Sequence, residues 1–459
     1  MDGNRSRRRR STGIAVLVAL TSALGCTAPS PLEVRNPAQV QMEGDAVVWT
    51  TIDPGLGAVR YGSRSGRATR VAYPAGADRP DRAYTRQHRV HLLSAAAGDT
   101  VYLQVLNRSP SGATTASAEY RFALAPGVAH PALLTWTMID VGFGDAHLLT
   151  MPGTGERVLV DAGERRDWPN VDLYLRGAGV TRLDAVMATH IHEDHIGGMV
   201  GASGTTTDGV LGAWDVGTFL DSPDHSGSRV AYDELLATLT ARGIPRAIVR
   251  PGETDHTNPA LAWDPTVGVE VLHAGGGRAT GGESEDDWIN NDSVVLRVSY
   301  GDVDLMFGGD AEGPVQTRLL AVHPLGLESE VLKVHHHGVA DASEPAYLGA
   351  VNPRVGLIPI TSYESYSGTL PSAVVLDRLR QRLVDVFASD RAEPLGVSLA
   401  GDAGINVTVV TDGTGYEVGI EPSRSQHWPG SETTPVAIAA TGPRPAARHA
   451  GFRGDRGRP

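Results

Sequence analysis

The stretch "THIHEDHIGG", residues 189–198, follows the apolar run "LDAVMA" and crowds three imidazoles and two carboxylates into a few positions. Half-buried polar groups need partners, so an isolated cluster of this kind would be costly. One answer is a charged turn left in water. The other is a metal site. His190 and His192 are separated by one residue and can face one cation. Asp194 and His195 follow where the chain enters "IGG". The glycines there let backbone pass close to a site.

Two other stretches have the same form. "FGGDAE" places Asp310 after an apolar strand, behind Gly308 and Gly309, and "KVHHHG" places three histidines after another. Strand-end loops are where α/β folds gather their chemistry. Between these points, strand and helix patterns alternate: "ERVLVDAG", "VDLYLRGAG", "VAYDELLATLTARG", "SVVLRVSY", "GPVQTRLLAV", "PSAVVLDRLRQRL" and the hairpin "INVTVVTDGTGYEVGI". The alternation predicts an α/β body of two packed sheets with helices outside. One ion needs three or four ligands of this type, and two ions need about six to eight, some of them shared.

Ahead of this body, residues 40–126 carry short alternating runs separated by turn signals such as "DPGLG" and "RSPSG". They predict a small all-β sandwich, with Trp49 and Tyr102 in its core and His88 and His91 as strand residues. "APGVAHPA" reads as the hinge to the second domain, residues 132–420. Residues 421–459 turn to Pro, Gly, Ala, Ser and Arg and cannot bury much apolar surface, which predicts a disordered tail. Residues 1–26 have the basic, apolar and small-residue parts of an export signal, and 27–39 form a linker. The single cysteine, Cys26, sits where the small residues end and excludes disulfide stapling. The net charge is -13; the first ten residues contribute +4, so the remainder carries -17. An acidic body argues against a protein that coats nucleic acid through its phosphates.

The strings carry a family resemblance. "HIHEDH" has the H-x-H-x-D-H form of the metallo-β-lactamase superfamily. Together with "DVGFGDA", "LVDAG", "NNDSVVLRVSYG", "GGDAE" and "LKVHHHG", in that order, it resembles the soluble hydrolase domain of the ComEC/Rec2 family. The N-terminal region resembles a fibronectin type III-like domain, and the segment ending at Cys26 resembles a lipoprotein signal. The first resemblance implies an αββα sandwich and a dinuclear metal site, with zinc or manganese. By position, His190 and His192 would hold one ion, Asp194, His195 and His337 the other, and Asp310 both. Asp161 would orient the histidine segment, and Asp145 and Asn291 would stand nearer the rim, with a structural role an equal alternative for both. Asp194 would also orient an attacking hydroxide shared by the ions. His336 would either support His337 from behind the ligands or face the phosphate, and His335 would not be a ligand. The family often supplies a further histidine, for which His225, His256 and His273 are candidates. Phe143, Val339 and Leu370 stand where the family usually has Gln, Ser and His.

Of the 40 basic residues only Lys333 is a lysine. It could lie over a phosphate oxygen or anchor its strand through a carboxylate. The resemblance implies a metal-dependent hydrolase of phosphodiesters, DNA among them, exported to a bacterial envelope and lipid-anchored at Cys26. The alternative is a surface binding protein whose metal site is structural, with the β-sandwich docking a partner.

Overall fold

The computed structural model describes residues 40–75, 82–125, 132–201, 209–225, 227, 229–279, 284–360, 370–389 and 405–422. The expected signal with Cys26, the linker, residues 126–131 of the hinge, residues 366–369 and the tail beyond 422 lie outside the described residues.

Period-two patterning builds the two-sheet body. In the strand Arg157–Ala162, Val158 and Val160 face an inner core while Leu159 faces an outer one. In Val303–Phe307, Leu305 and Phe307 face the same inner core while Met306 faces the opposite outer layer. Each sheet therefore has two apolar faces, and a one-residue slip would exchange them. The first sheet runs in the spatial order Arg246–Ile248, Val216–Asp221, Leu183–Met187, Arg157–Ala162, Ala146–Thr150, Leu134–Met138, Ile405–Thr411, Gly415–Pro422. The second runs Val267–His273, Val295–Tyr300, Val303–Phe307, Val331–Lys333, Val355–Ile358, Asp385–Ala388. Helices Trp168–Gly177, Glu193–Val200, Gly209–Ala213 and Val230–Arg242 cover the outer face of the first sheet. Helices Gly313–Val322, Pro345–Val351 and Ala373–Gln381 cover that of the second. The result is the expected αββα sandwich.

The N-terminal strands do not hang from a hinge as a detached unit. They keep their own core around Trp49, Val90 and Leu103. However, the strand Arg70–Pro74 pairs antiparallel with Gly415–Pro422, so their sheet continues the first sheet of the body. The "DPGLG" stretch, expected as a turn, lies inside the long strand Ala46–Gly62, which shifts register between Thr50 and Gly55. Such an irregularity bends a strand without ending it. Trp49 is buried and stacks on His88, whereas Tyr102 is only half-buried, a correction to its expected core place.

Buried polar groups fasten this junction. Asp385 accepts a hydrogen bond from Tyr73 Oη at 3.0 Å and pairs with Arg108 and Arg354. Glu417 accepts from Tyr61 Oη at 2.7 Å and from the backbone N–H groups of Leu93 and Ser94. Removing one partner of a buried ion pair leaves an uncompensated charge, which typically costs about 3–5 kcal/mol. Asp385→Ala should therefore lower the unfolding free energy by that order, read in denaturant titration as a lower midpoint. A single cooperative transition is expected in calorimetry, because one sheet runs through both parts; two separate transitions in the wild type would contradict it.

Candidate metal centre

The first sheet delivers the histidine segment from the end of the strand Leu183–Met187. Asp161 orients it. A register shift between Val160 and Ala162 puts Asp161 in the left-handed region, at φ 57°, and re-aims its side chain. Its carboxylate accepts from Thr189 N at 2.8 Å and from Thr189 Oγ1 at 2.7 Å, and lies 2.8 Å from His195 Nδ1. Asp194 and His195 were expected on a loop. They lie instead in the first turn of the helix Glu193–Val200. Its glycines bring it against the Asp161 segment: a Cβ on Gly198 would stand 2.0 Å from Ala162 O. Gly144, at φ 118°, plays the same part beneath Asp194, whose carbonyl a Cβ there would meet at 2.2 Å.

The second sheet delivers Asp310 and the "HHH" run. Asp310 follows Gly308 and Gly309, and its N–H donates to Ser293 Oγ at 3.0 Å. His336 and His337 both have positive φ, 48° and 50°. Strained backbone of this kind persists where the surroundings enforce it, often at functional sites. His337 Nδ1 lies 2.9 Å from Pro359 O, and so donates to it.

The two halves meet in a buried cluster. His195 Nε2 lies 3.2 Å from Asp310 Oδ2, and His337 Nε2 lies 3.4 Å from the same oxygen and 3.3 Å from Asp194 Oδ2. Asp145, His195, Asp310 and His337 each bring one donor atom within 4.8 Å of the others. On the outer side, His190 Nε2 and His192 Nδ1 face each other at 3.1 Å. The donor set fits a metal. Both His195 and His337 use Nδ1 on a fixed acceptor, which turns Nε2 toward the facing carboxylates, and neither Nε2 has a hydrogen-bond partner. Three buried carboxylates, Asp145, Asp161 and Asp310, with the half-buried Asp194 beside them, stand against one ammonium, Lys333, so four negative charges face one fixed positive charge. Burial opposes charging of His195, yet Asp310, Asp161, Asp194 and Asp145 outweigh it and raise its pKa well above the imidazole range. Burial likewise opposes ionisation of Asp310, but His195, His337 and Lys333 hold its carboxyl well below the usual range. The cluster thus favours positive charge at its centre, whether protons on the imidazoles or metal ions.

Several expectations need correction. Asp145 and Asn291 are not at the rim; both are buried, Asp145 within the cluster itself. Asn291 Oδ1 accepts from Glu312 N at 3.0 Å, a structural bond. Lys333 does not lie over a substrate oxygen. Its Nζ is buried and contacts Asp145 Oδ2 at 2.7 Å, Asp310 Oδ1 at 3.1 Å and Gly309 O at 2.7 Å. The candidate extra histidines have partners of their own: His225 with Asp221, His273 with Asn291 O, and His256, exposed, with Asp255. His335 lies as expected off the cluster, against Tyr347 Oη at 3.0 Å, and burial pushes its imidazole down to about 3. Phe143 packs its ring 4.7 Å from that of His337 and forms an apolar wall. Val339 and Leu370 are half-buried. His336 stands at the mouth, its Nε2 3.8 Å from Asp310 Oδ2 and its Nδ1 3.0 Å from Glu312 Oε1. Glu312 and Ser293 were overlooked as site residues, although both lie within motif strings, "GGDAE" and "NNDS".

Residues 139–361 match the family profile of the Metallo-beta-lactamase superfamily. This chain carries a metallo-β-lactamase superfamily domain. ComE operon protein 3 of Bacillus subtilis (strain 168) is 23% identical over 270 residues, covering 55% of this chain and 31% of that protein. Competence protein ComA of Neisseria gonorrhoeae is 25% identical over 226 residues, covering 49% of this chain and 26% of that protein. The chain thus spans at most about a third of these curated relatives. Among solved structures, CmlA, a diiron beta-hydroxylase from Streptomyces venezuelae, matches with a TM-score of 0.35 at 13% identity, covering 61% of this chain and 54% of that one. The superfamily domain and the compact His/Asp cluster together mark a metal-dependent, hydrolase-like protein.

Asp161 is the clearest test of the geometry. An Asp161→Asn variant turns an amide N–H toward donors that now meet a carboxylate. Metal affinity should fall about 10–100-fold, as for other outer partners of ligating histidines. Chelator competition on the folded variant measures this, and an affinity equal to wild type would remove Asp161 from its orienting role.

Proposed function

We propose that this chain is a dinuclear, metal-dependent hydrolase of phosphodiesters, DNA among the candidate substrates. The observation that carries it is the pair of buried imidazoles, His195 and His337, locked to present bare Nε2 atoms toward Asp310 and Asp194. His190 and His192 would hold one ion, Asp194, His195 and His337 the other, and Asp310 would serve both. Imidazole and carboxylate donors suit zinc, with manganese as the second choice. When bound, a divalent pair activates water and neutralises charge on a phosphoryl group, so no serine or cysteine nucleophile is required.

The chain's own residues do the rest. Asp194, partly accessible with His337 beside it, orients the attacking water. His336 reaches the mouth and is held by Glu312, which also accepts from Asn290 Nδ2 at 2.9 Å. Its Nε2 is placed to contact an anionic substrate oxygen. The resemblance of the motif strings to the ComEC/Rec2 hydrolase domain, with ComE operon protein 3 and Competence protein ComA among the relatives, supports a nucleic-acid phosphodiester as substrate class. The acidic charge of the chain restricts such contact to the mouth of the site rather than a broad surface. We further propose export and a lipid anchor at Cys26, which mass spectrometry of the mature N-terminus would decide. Among the described residues no helix is long and apolar enough to cross a membrane. The N-terminal all-β unit is proposed to be fibronectin type III-like.

The purified protein should turn over a chromogenic phosphodiester, lose that activity on chelation and regain it with zinc or manganese. Turnover of a β-lactam or a phosphomonoester with none of the phosphodiester or of DNA would sink the substrate assignment. Loss of the His336 imidazole in His336→Ala should lower the rate by about 10²–10³, the usual cost of one charge-stabilising donor, while metal content stays at the wild-type value.

A further inference from the structure

The ligands come from two sheets, and one buried ion pair joins them. Asp145 lies just before the strand Ala146–Thr150 of the first sheet, and Lys333 ends the strand Val331–Lys333 of the second. Their contact is 2.7 Å, and both side chains are buried. An ammonium has three N–H donors. Asp145 Oδ2, Asp310 Oδ1 and Gly309 O take all three. Asp310 is thereby divided. Oδ1 belongs to Lys333, while Oδ2 alone faces His195 and His337. Asp145 is tied in the same way to the other ligands. Its N–H donates to Asp194 O at 3.1 Å, and its carbonyl accepts from Gly163 N at 2.8 Å, two residues past Asp161.

We propose that Asp145 and Lys333 form a cross-sheet ion pair that positions Asp310, so that Asp310 meets the metal ions through Oδ2 alone and the ligands of the two sheets keep their register. This rests on the cluster holding divalent metal, not on the identity of the substrate. Lys333 is then a positioning residue. A buried ion pair is near break-even for stability by itself, so its presence points to another role. The chain otherwise uses arginine for every basic position. A guanidinium has five donors in a rigid planar fork and would leave some unmet among three acceptors grouped around one point. An ammonium fits that arrangement.

The test uses the full chain and reads zinc binding by competition with a chromophoric chelator. Lys333→Met should weaken zinc binding about 10–100-fold, the usual effect of removing an outer partner of a ligand. Lys333→Arg should not restore it. The double variant Asp145→Asn/Lys333→Met removes the stranded carboxylate, so it should melt above the Lys333→Met single while keeping the weakened zinc binding. It keeps the proposal testable should the single variant fail to fold. Lys333 carries the only ε-amine in the chain, so an amine-acylating reagent followed by peptide mass spectrometry reports its burial directly. Native metallated protein should be protected at Lys333 and denatured protein labelled. Zinc affinity within twofold of wild type in the folded variants would overturn the proposal. So would labelling of Lys333 as fast in native as in denatured protein. Loss of turnover at saturating zinc, with affinity unchanged, would assign Lys333 to the substrate instead. Zinc binding and labelling need no substrate, so failure of the phosphodiesterase assignment would leave this result standing.

Discussion

The structure depends on burying negative charge. Asp145, Asp161 and Asp310 lie buried with one ammonium among them, and the half-buried Asp194 adjoins them. Isolated, such a group would neutralise by taking protons or force the site apart. Here three of the carboxylates have an assigned donor, Thr189 and His195 for Asp161 and Lys333 for Asp145 and Asp310, while His337 Nε2 stands 3.3 Å from Asp194. What stays unpaired is the outward row of imidazole nitrogens. Cations are the species that complete this arrangement.

The αββα layers follow from that need. A site that takes ligands from two sheets must hold both at fixed spacing, and packed interiors transmit small errors. The inner core between the sheets, with Trp136 and Phe307 in ring contact at 4.1 Å, provides the spacing. Trp136 also donates its indole N–H to His147, which stands 3.6 Å from Asp145. The path from core to cluster is therefore direct. The N-terminal strands extend the first sheet on its far side, where Asp385 and Glu417 are shared across the junction.

The candidate ligands were legible in the sequence because metal ligands need particular atoms, and His190, His192, Asp194, His195, Asp310 and His337 stand in compact strings at strand ends; of these the structure gathers His195, Asp310 and His337 in one tight cluster, with Asp145. Asp161 was legible for a similar reason. The roles of Asp145, Glu312 and Ser293 were not, because their partners lie far along the chain. Asp145 meets Lys333, 188 residues away in the numbering, and no local pattern encodes such a pairing. The helical start at Glu193 was hidden behind glycines, which read as a loop but serve close packing against Ala162.

The sequence by itself determined the chemistry and the class of scaffold. Imidazole and carboxylate donors select a divalent cation, and period-two apolar strands alternating with helices select layered sheets. Tertiary structure alone decided what each group does. It turned the lysine from a possible substrate contact into a buried anchor, because three acceptors from separate segments converge on one ammonium. It also joined the N-terminal strands to the body, because the last hairpin offered an edge that the strand Arg70–Pro74 could complete. Both outcomes depend on contacts between distant segments, which form only when the chain is folded.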